Sequence, residues 1–131
     1  MKKTIFPIPD EEGVILVDAF INEAFTLSLA VDTAASQTTL DKNMLMMFGF
    51  SIDQSLGKSM VETSNGVIFV ENYRLQSIDV LGVQETGLVV SAYDFIAHGI
   101  TPEYDGVLGL DFLRLRKFCI DVVRGEITVE A

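Results

Sequence analysis

Two patterns in the sequence predict an all-β domain with two short helices. Runs rich in β-branched and aromatic residues recur along the chain, and turn signals containing glycine or asparagine separate them. Helical patterns occur only in residues 40–50 and in a segment that begins near Asp111. A chain of 131 residues predicts one domain over 1–131, and this length suffices for a hydrophobic core without disulfide bonds.

The first predicted hairpin joins the runs GVILVDAF (13–20) and FTLSLAV (25–31) through Asn22, Glu23 and Ala24. In the second run, large apolar residues alternate with small or polar ones. Because successive side chains of a strand point to opposite faces, this strand is expected to bury one face.

The run LDKNMLMMFGF, residues 40–50, predicts a short helix that Gly49 ends. One stripe of this helix consists of Leu40, Met44, Met47 and Phe48. Methionine adapts to irregular gaps, so we interpret this stripe as core rather than as a binding face.

Two more hairpins are predicted in the middle of the chain. Asn65-Gly66 lies within residues 58–75 and is a strong turn signal, because a type I′ turn needs positive φ at both central residues. A further hairpin is predicted to turn at Leu81-Gly82, between the runs LQSIDV and QETGLVVSAY.

The last third of the sequence predicts a loop, a helix and a hairpin in that order. Residues 94–105 have the composition of an irregular loop. Asp111 is a suitable N-cap for a helix running to about Lys117. The runs KFCIDV and EITVE then form strands on either side of a turn at Arg124-Gly125.

The charge of the chain argues against nucleic-acid and membrane partners. Nine basic and nineteen acidic residues give a net charge of −10, whereas binding to nucleic acid or to anionic lipid begins with a basic surface. No apolar run reaches the roughly 18 residues of a membrane helix. Prolines and acidic residues follow Met1-Lys2-Lys3, where a signal peptide would be apolar, so a cytoplasmic location is expected if residue 1 is the native start.

The sequence contains little that would bind a metal or a cofactor. Cys119 is the only cysteine, and its apolar neighbours predict that it is buried. His98 is the only histidine, and we interpret it as a loop residue. This leaves too few ligands for a typical zinc site, and the chain lacks both a nucleophile elbow and a phosphate-binding glycine loop. We therefore expect no metal and no cofactor.

One stretch, LAVDTAASQTTL (29–40), is unusual because an apolar strand ends on Asp32 and only small residues follow it. Asp32 has a plain structural interpretation, in which its side chain caps the next turn through the local backbone. A solvated loop would not need the small residues, however, and a plain core would not tolerate the charge.

The order of motifs resembles that of the retropepsin-like aspartic proteases, the single-lobed relatives of retroviral proteases. The segment VDTAAS (31–36) resembles the family's Asp-Thr-Gly-Ala-Ser loop, and GVLGLDFL (106–113) resembles the hydrophobic-hydrophobic-Gly element before a short helix. The segment SNGVIFVENY (64–73) falls where the flap hairpin of the family lies. The resemblance covers residues 13–130 and implies a closed β-barrel of the acid-protease type, built as a single lobe.

The resemblance also implies an aspartic endopeptidase. Two carboxylates and a water hydrolyse the peptide bond in this chemistry, and close carboxylates share a proton because both cannot ionise cheaply. The chain has one such loop, so a second copy must supply the second aspartate. A two-fold homodimer places Asp32 opposite its own copy.

The resemblance assigns further roles around Asp32. Thr33 would form a hydrogen bond across the dimer axis, or alternatively bond only to its own turn. Ser36 would bond an outer carboxylate oxygen, and Val107 would line a side-chain pocket, although it could equally be plain core. The flap tip that closes over a polypeptide substrate would consist of Thr63, Ser64, Asn65 and Gly66.

Ala34 departs from the family pattern, which usually has glycine at this position. Glycine permits close backbone approach and unusual dihedral angles, so the extra methyl group could be harmless, narrow the specificity or weaken the enzyme. Two alternatives to an active protease stay open. One is a non-catalytic dimeric module that binds an extended peptide, and the other is an assembly domain that keeps a degenerate protease fold for dimerisation.

Overall fold

The computed structural model describes residues 3–8, 14–63, 66–99 and 103–130. Most of these residues lie in strands, as the sequence predicts. The strands are β1 (Lys3–Pro7), β2 (Leu16–Ile21), β3 (Phe25–Val31), β4 (Thr39–Asp41), β5 (Lys58–Thr63), β6 (Gly66–Arg74), β7 (Ser77–Val80), β8 (Val83–Thr86), β9 (Val89–Tyr93), β10 (Gly106–Leu108), β11 (Lys117–Asp121) and β12 (Glu126–Glu130). The α-helices are α1 (Lys42–Met47) and α2 (Leu110–Leu113), and 3₁₀ helices occur at Ile52–Gln54 and Ile96–His98.

These strands form two sheets. The larger sheet has the order β5-β6-β9-β4-β10-β3-β2-β7-β8, and the smaller one has the order β1-β12-β11. The larger sheet is open in the described part of the chain, because no pairing there joins its edge strands β5 and β8. The predicted closed barrel is therefore not confirmed, whereas the mostly-β fold with two short helices is.

Strand β3 lies inside the larger sheet, between β2 and β10. It pairs with β2 in antiparallel register and with β10 in parallel register, where Leu108 lies opposite Val31. The alternation seen in the sequence matches this position, because Phe25, Leu27 and Leu29 are buried while Thr26 is exposed. The fully buried core around it includes Ile21, Leu40, Leu45, Tyr73, Leu75, Ile78, Leu108, Phe112 and Ile127.

Two tight turns confirm the predicted hairpins. Asn22 and Glu23, between β2 and β3, have φ angles of 54° and 53°. Leu81 and Gly82, between β7 and β8, have φ angles of 52° and 76°. Positive φ at both central residues is the requirement of a type I′ turn.

Helix α1 is shorter than the sequence predicts, and the predicted stripe is only partly buried. Asp41 caps it by accepting a hydrogen bond from the backbone N–H of Asn43, and Leu45 is its buried residue. Met47 is exposed, so its prediction as core was wrong, and Phe48 is exposed as well although its ring stacks on that of Phe25. A helix of six residues covers less than two turns, so it buries Leu45 fully while Met44 and Met46 pack against the core only in part.

Helix α2 also differs from the prediction, because Gly109 rather than Asp111 is its N-cap and the helix ends at Leu113. Asp111 lies within the first turn, where its carboxylate accepts hydrogen bonds from other residues as described below. The predicted loop over 94–105 is irregular apart from the 3₁₀ helix that contains His98, and residues 100–102 lie outside the described part.

Cys119 is exposed, so the prediction that it is buried was wrong. It lies in β11, an edge strand of the smaller sheet, opposite Thr128. The neighbouring residue Phe118 lies opposite the buried Val129 and packs against the core. Because alternate residues of a strand face opposite sides, Cys119 points away from the core that Phe118 contacts.

The sequence did not predict β1. Strand β1 pairs with β12 along its whole length, from Lys3 opposite Glu130 to Pro7 opposite Glu126. Pro7 is tolerated at this position because β1 is an edge strand.

Candidate active site

Asp32 lies directly after β3, where two parallel strands end. Its backbone N–H donates a hydrogen bond of 3.0 Å to the carbonyl of Leu108, the last residue of β10. The parallel pairing of Leu108 with Val31 brings the two strand ends together. The aspartate and the element around residues 106–113, which are distant in sequence, therefore form one site.

The carboxylate of Asp32 is held by its own turn, but only one of its two oxygens accepts a hydrogen bond within the described residues. Oδ1 accepts a hydrogen bond of 2.9 Å from the N–H of Ala34, and the carbonyl of Asp32 accepts one of 3.2 Å from Ala35. The prediction that the side chain of Asp32 caps its own turn is thus confirmed. Within the described residues Oδ2 accepts no hydrogen bond, and the side chain is partly exposed, so one oxygen can act on another molecule.

The small residues after Asp32 leave its carboxylate accessible. Thr33, Ala34 and Ser36 are exposed, and the hydroxyls of Thr33 and Ser36 have no hydrogen-bond partner within the described part of the chain. In particular, Ser36 does not bond the carboxylate of Asp32 there. Positive φ angles among described non-glycine residues occur at Asn22, Glu23 and Leu81. Ala34 is not among them, so its backbone does not need glycine.

Two backbone hydrogen bonds from the start of helix α2 hold the loop 32–37 in place. The N–H of Leu110 donates to the carbonyl of Ala35 at 2.8 Å, and the N–H of Asp111 donates to that of Ser36 at 3.2 Å. Gly109 permits this close approach, because a Cβ there would lie 2.8 to 3.0 Å from backbone atoms of Ala35 and Gln37. The glycine of the GVLG motif therefore has a steric role beneath the aspartate loop.

Thr38 and Asp111 form a buried link that sequence reasoning missed. The hydroxyl and the N–H of Thr38 donate to the two carboxylate oxygens of Asp111, at 2.7 and 2.9 Å. The same hydroxyl accepts a hydrogen bond from the N–H of Gly109 at 3.0 Å. The signal was the acid in GLDFL, which looks like a helix cap. Its carboxylate accepts the N–H of Phe112 in its own helix at 2.9 Å, and it also bonds a residue 73 positions away.

Val107 lies in β10, the strand between β3, which leads to Asp32, and β4, which follows the Asp32 loop. It is half-buried in β10 and lies opposite Ala30 of β3 and Thr39 of β4. The neighbouring Gly106 is required, because a Cβ there would overlap the backbone of Thr39. Val107 is therefore held in the strand that leads directly to Gly109.

The predicted flap is a long hairpin formed by β5 and β6. The strands pair from Lys58 opposite Glu71 to Thr63 opposite Gly66, so these two residues form the last described rung. Ser64 and Asn65 lie outside the described residues, and the predicted turn type is not described. The hairpin exposes large apolar side chains at Met60, Val61, Val67 and Phe69.

Tyr73 lies at the base of this hairpin, and its surroundings shift its pKa. It is fully buried, and its hydroxyl donates to Oε2 of Glu71 at 2.8 Å. Burial is the largest of three causes, with the hydrogen bond to Glu71 and the charge of Glu71, that together raise the pKa of Tyr73 to about 12.

The described residues hold no group of three or more His, Cys, Asp or Glu side chains that is suited to a metal ion. Among the helices of the described residues, none is long and apolar enough to cross a membrane. The candidate site thus consists of the Asp32 loop, the start of α2 with Gly109 beneath that loop, and the β5–β6 hairpin.

Comparisons with known proteins agree with this geometry. The family model for aspartyl proteases matches residues 17–112, which include the Asp32 loop, the hairpin and the start of α2. A retropepsin-like aspartic protease from Rickettsia conorii has a similar structure, with a TM-score of 0.74. The two chains are 22% identical, and the match covers 98% of this chain and 89% of that one. A search of curated protein sequences returned no match.

Proposed function

Because the chain belongs to the aspartyl protease family, we propose that it is an aspartic endopeptidase that hydrolyses peptide bonds as a homodimer. Each copy supplies one Asp32, and the two carboxylates form the catalytic dyad at the two-fold axis. The observation that carries this proposal is the position and hydrogen bonding of Asp32. It directly follows the buried strand β3, backbone contacts fix it, and its Oδ2 has no partner in the described residues.

The reaction requires one ionised and one protonated carboxylate. The ionised Asp32 removes a proton from a water molecule, whose oxygen attacks the peptide carbonyl. The protonated Asp32 of the partner subunit donates its proton to the developing oxyanion, which spreads the negative charge. When the tetrahedral intermediate collapses and the C–N bond breaks, the carboxyl that took the water proton passes it to the leaving nitrogen. The other carboxylate takes a proton from a hydroxyl of the intermediate, which restores one proton to the dyad.

Asymmetric protonation follows from the proposed assembly. Two carboxylates held a few ångströms apart cannot both ionise cheaply, so they keep one proton between them. One catalytic loop per chain makes a two-fold axis the simplest way to bring two such groups together. Thr33 supports this arrangement, because its exposed hydroxyl has no partner within the described part of its own chain and could bond across the axis.

The substrate is proposed to lie between the Asp32 loop and the β5–β6 hairpin. The exposed apolar side chains of the hairpin suit contact with an extended peptide, and the hairpin would act as a lid that excludes water. The proposed substrate-contacting residues are Ser36, Thr63, Ser64, Asn65, Gly66 and Val107. Ala34 forms the floor beside the carboxylate, where its methyl group would face the scissile bond.

A peptide library digested at several acidic and neutral pH values tests the activity, with Asp32→Asn as the control. Asparagine has nearly the same shape as aspartate but cannot ionise, so we expect cleavage by the wild type and none by the variant. Sedimentation at tens of micromolar tests the assembly, and a species at twice 14.4 kDa is expected. Peptide binding without cleavage in both proteins would instead support a non-catalytic binding module.

A further inference from the structure

Four uncharged side chains form a continuous hydrogen-bonded chain beside the Asp32 loop. The hydroxyl of Ser91 donates to Oε1 of Gln37 at 2.9 Å. Nε2 of Gln37 donates to Oδ1 of Asn72 at 3.5 Å and to the carbonyl of Val89 at 3.2 Å. Nδ2 of Asn72 then donates to the hydroxyl of Ser59 at 2.6 Å.

The donors and acceptors of this chain are mutually consistent. Ser91 has one hydroxyl proton, and it also lies 3.5 Å from Oδ1 of Asn72, but its contact with Gln37 is the shorter one. With the proton of Ser91 directed to Gln37, both ends of the Gln37 amide and both ends of the Asn72 amide are engaged. Ser91 is buried, and Gln37, Asn72 and Ser59 are half-buried, so these bonds are partly shielded from water.

The chain joins two parts of the proposed active site. Gln37 lies in the loop that starts at Asp32, and its backbone packs over Gly109. Asn72 lies in β6 and Ser59 in β5, the two strands of the hairpin. The link therefore runs from the aspartate loop to the base of the hairpin.

The backbone of Asn72 also fixes the base of the hairpin. Its N–H donates to the carbonyl of Gly57 at 2.9 Å, and its carbonyl accepts from the N–H of Leu56 at 2.7 Å. These bonds hold the chain just before β5, and they survive a change of the Asn72 side chain. The bond to Ser59 across the hairpin and the connection to the aspartate loop, in contrast, depend on the side-chain amide.

We propose that Asn72 is a positioning residue, which through Gln37 and Ser59 sets the resting position of the β5–β6 hairpin over the Asp32 loop. This inference rests on the proposed function for its kinetic consequence, but its structural part stands apart from it. All four side chains are uncharged, so the link does not titrate in the range in which carboxylates change charge. The hairpin can thus keep its position while the protonation of the dyad changes.

Amide hydrogen exchange of the free protein tests the structural part, with Asn72→Ala as the variant. We expect about tenfold faster exchange in residues 59–63 and 66–70, because two hydrogen bonds to the hairpin base are lost. Exchange at Ala34 and Ala35 should be unchanged. Asn43→Ala is the matched control, because Asn43 also forms a side-chain hydrogen bond, to Asp94, but lies on α1. Asn43→Ala should leave amide exchange in the hairpin unchanged.

Two results would overturn the proposal. One is unchanged exchange in the hairpin, and the other is an equal rise across all strands, which would mean general destabilisation. If Asn72→Ala does not fold, Ser59→Ala and Gln37→Ala break the same chain on either side of Asn72, and Ser59→Ala is the smallest of the three changes. These two residues share no hydrogen bond and meet only through Asn72. Non-additive effects in the double variant are expected, and strictly additive ones would contradict a connected chain.

Kinetics test the consequence for the reaction. For a peptide that the wild type cleaves, Asn72→Ala should raise KM several-fold and change kcat little, because the dyad and its loop are intact. A fall in kcat alone would contradict a positioning role. If the wild type cleaves no peptide, the proposed function fails, while the exchange measurement still decides whether the link holds the hairpin.

Discussion

The carboxylate of Asp111 receives two hydrogen bonds from Thr38, one of 2.7 Å from its hydroxyl and one of 2.9 Å from its N–H. This pair ties the end of the Asp32 loop to the start of α2. Thr38 is fully buried, so the pair lies in an environment where an unsatisfied polar group is costly. The position of Asp32 therefore depends on Thr38, whose side chain is closed off from solvent.

Removing the hydroxyl tests this dependence. We expect Thr38→Val to lower the free energy of unfolding by about 2 kcal/mol, because Asp111 loses a donor and the N–H of Gly109 loses its acceptor. Urea denaturation measures the change. Thr39→Val is the matched control, since the hydroxyl of Thr39 donates to the carbonyl of Gln37, at 3.4 Å, and has no contact with Asp111 or Gly109. Equal effects of the two substitutions would contradict a special role for Thr38.

Gly109 should tolerate no side chain. Gly109→Ala would place its methyl group within 3.0 Å of the backbone of Ala35 and Gln37, and we expect a loss of about 1 to 3 kcal/mol. Activity should fall further than stability alone explains, because the displaced atoms belong to the aspartate loop. Gly57→Ala separates the causes, since Gly57 has a φ of +124° but nothing within 4 Å of a Cβ. That variant should lose stability but keep the loop geometry.

The sequence was informative wherever a pattern is local. Alternating residues predicted β3, and paired turn residues predicted the hairpins at Asn22-Glu23 and Leu81-Gly82. These features depend on side-chain direction and on φ angles, which neighbouring residues determine. The turn at Asp32 was equally visible, because its hydrogen bond to Ala34 spans two residues.

Features that depend on distant partners were not visible. Strand β1 exists because β12 pairs with it from the other end of the chain. The exposure of Cys119 follows from which face of β11 meets the core, and its apolar neighbours do not encode that choice. The link between Thr38 and Asp111 spans 73 positions, so the acid was assigned to its own helix instead.

Tyr73 should make stability fall at alkaline pH. Its pKa is raised to about 12 in the folded chain, mainly by burial and then by Glu71, whereas a free tyrosine has a pKa of about 10. Between these values the folded state keeps a proton that the unfolded state has released. The stabilisation is complete below about pH 10 and is lost as the pH rises toward 12.

Tyr73→Phe should remove this dependence. The variant loses about 1 kcal/mol near neutral pH with its hydrogen bond to Glu71, but its unfolding free energy should decline less steeply between pH 10 and 12. Glu71→Gln is a second test, since it removes the charge while keeping an acceptor, and its slope should lie between the other two. Parallel curves of unfolding free energy against pH for the wild type and Tyr73→Phe would exclude Tyr73 as the source of the loss of stability at alkaline pH.

Ala34→Gly should raise peptide turnover. Ala34 is exposed and its N–H donates to the Asp32 carboxylate, so removal of its methyl group should widen the floor without opening the core. The backbone at Ala34 has no positive φ, and we expect the fold to lose only about 0.5 to 1 kcal/mol from the added chain entropy. Ala35→Gly is the control for that entropy. A wild type as active as Ala34→Gly would show that the methyl group does not crowd the site.

The two Asp32 carboxylates, if they face each other, should link dimerisation to pH. A facing pair holds a shared proton that two separate chains release, so the proposed dimer binds more protons than its subunits. Its stability must then fall as the pH rises through the range in which that proton is lost. The net charge of −10 per chain acts in the same direction through general repulsion, but more weakly.

Asp32→Asn separates the two effects, because it abolishes the shared proton and changes the net charge by one unit. The variant should be inactive, yet its dimer should be at least as tight as that of the wild type near neutral pH, with a shallower pH dependence. Dimer dissociation constants for both proteins, measured well below and then above neutrality at one ionic strength, test this, since salt screens general repulsion more than a close pair. The same pH dependence in both proteins would mean that the Asp32 carboxylates do not meet, and the shared-proton mechanism would have to be abandoned.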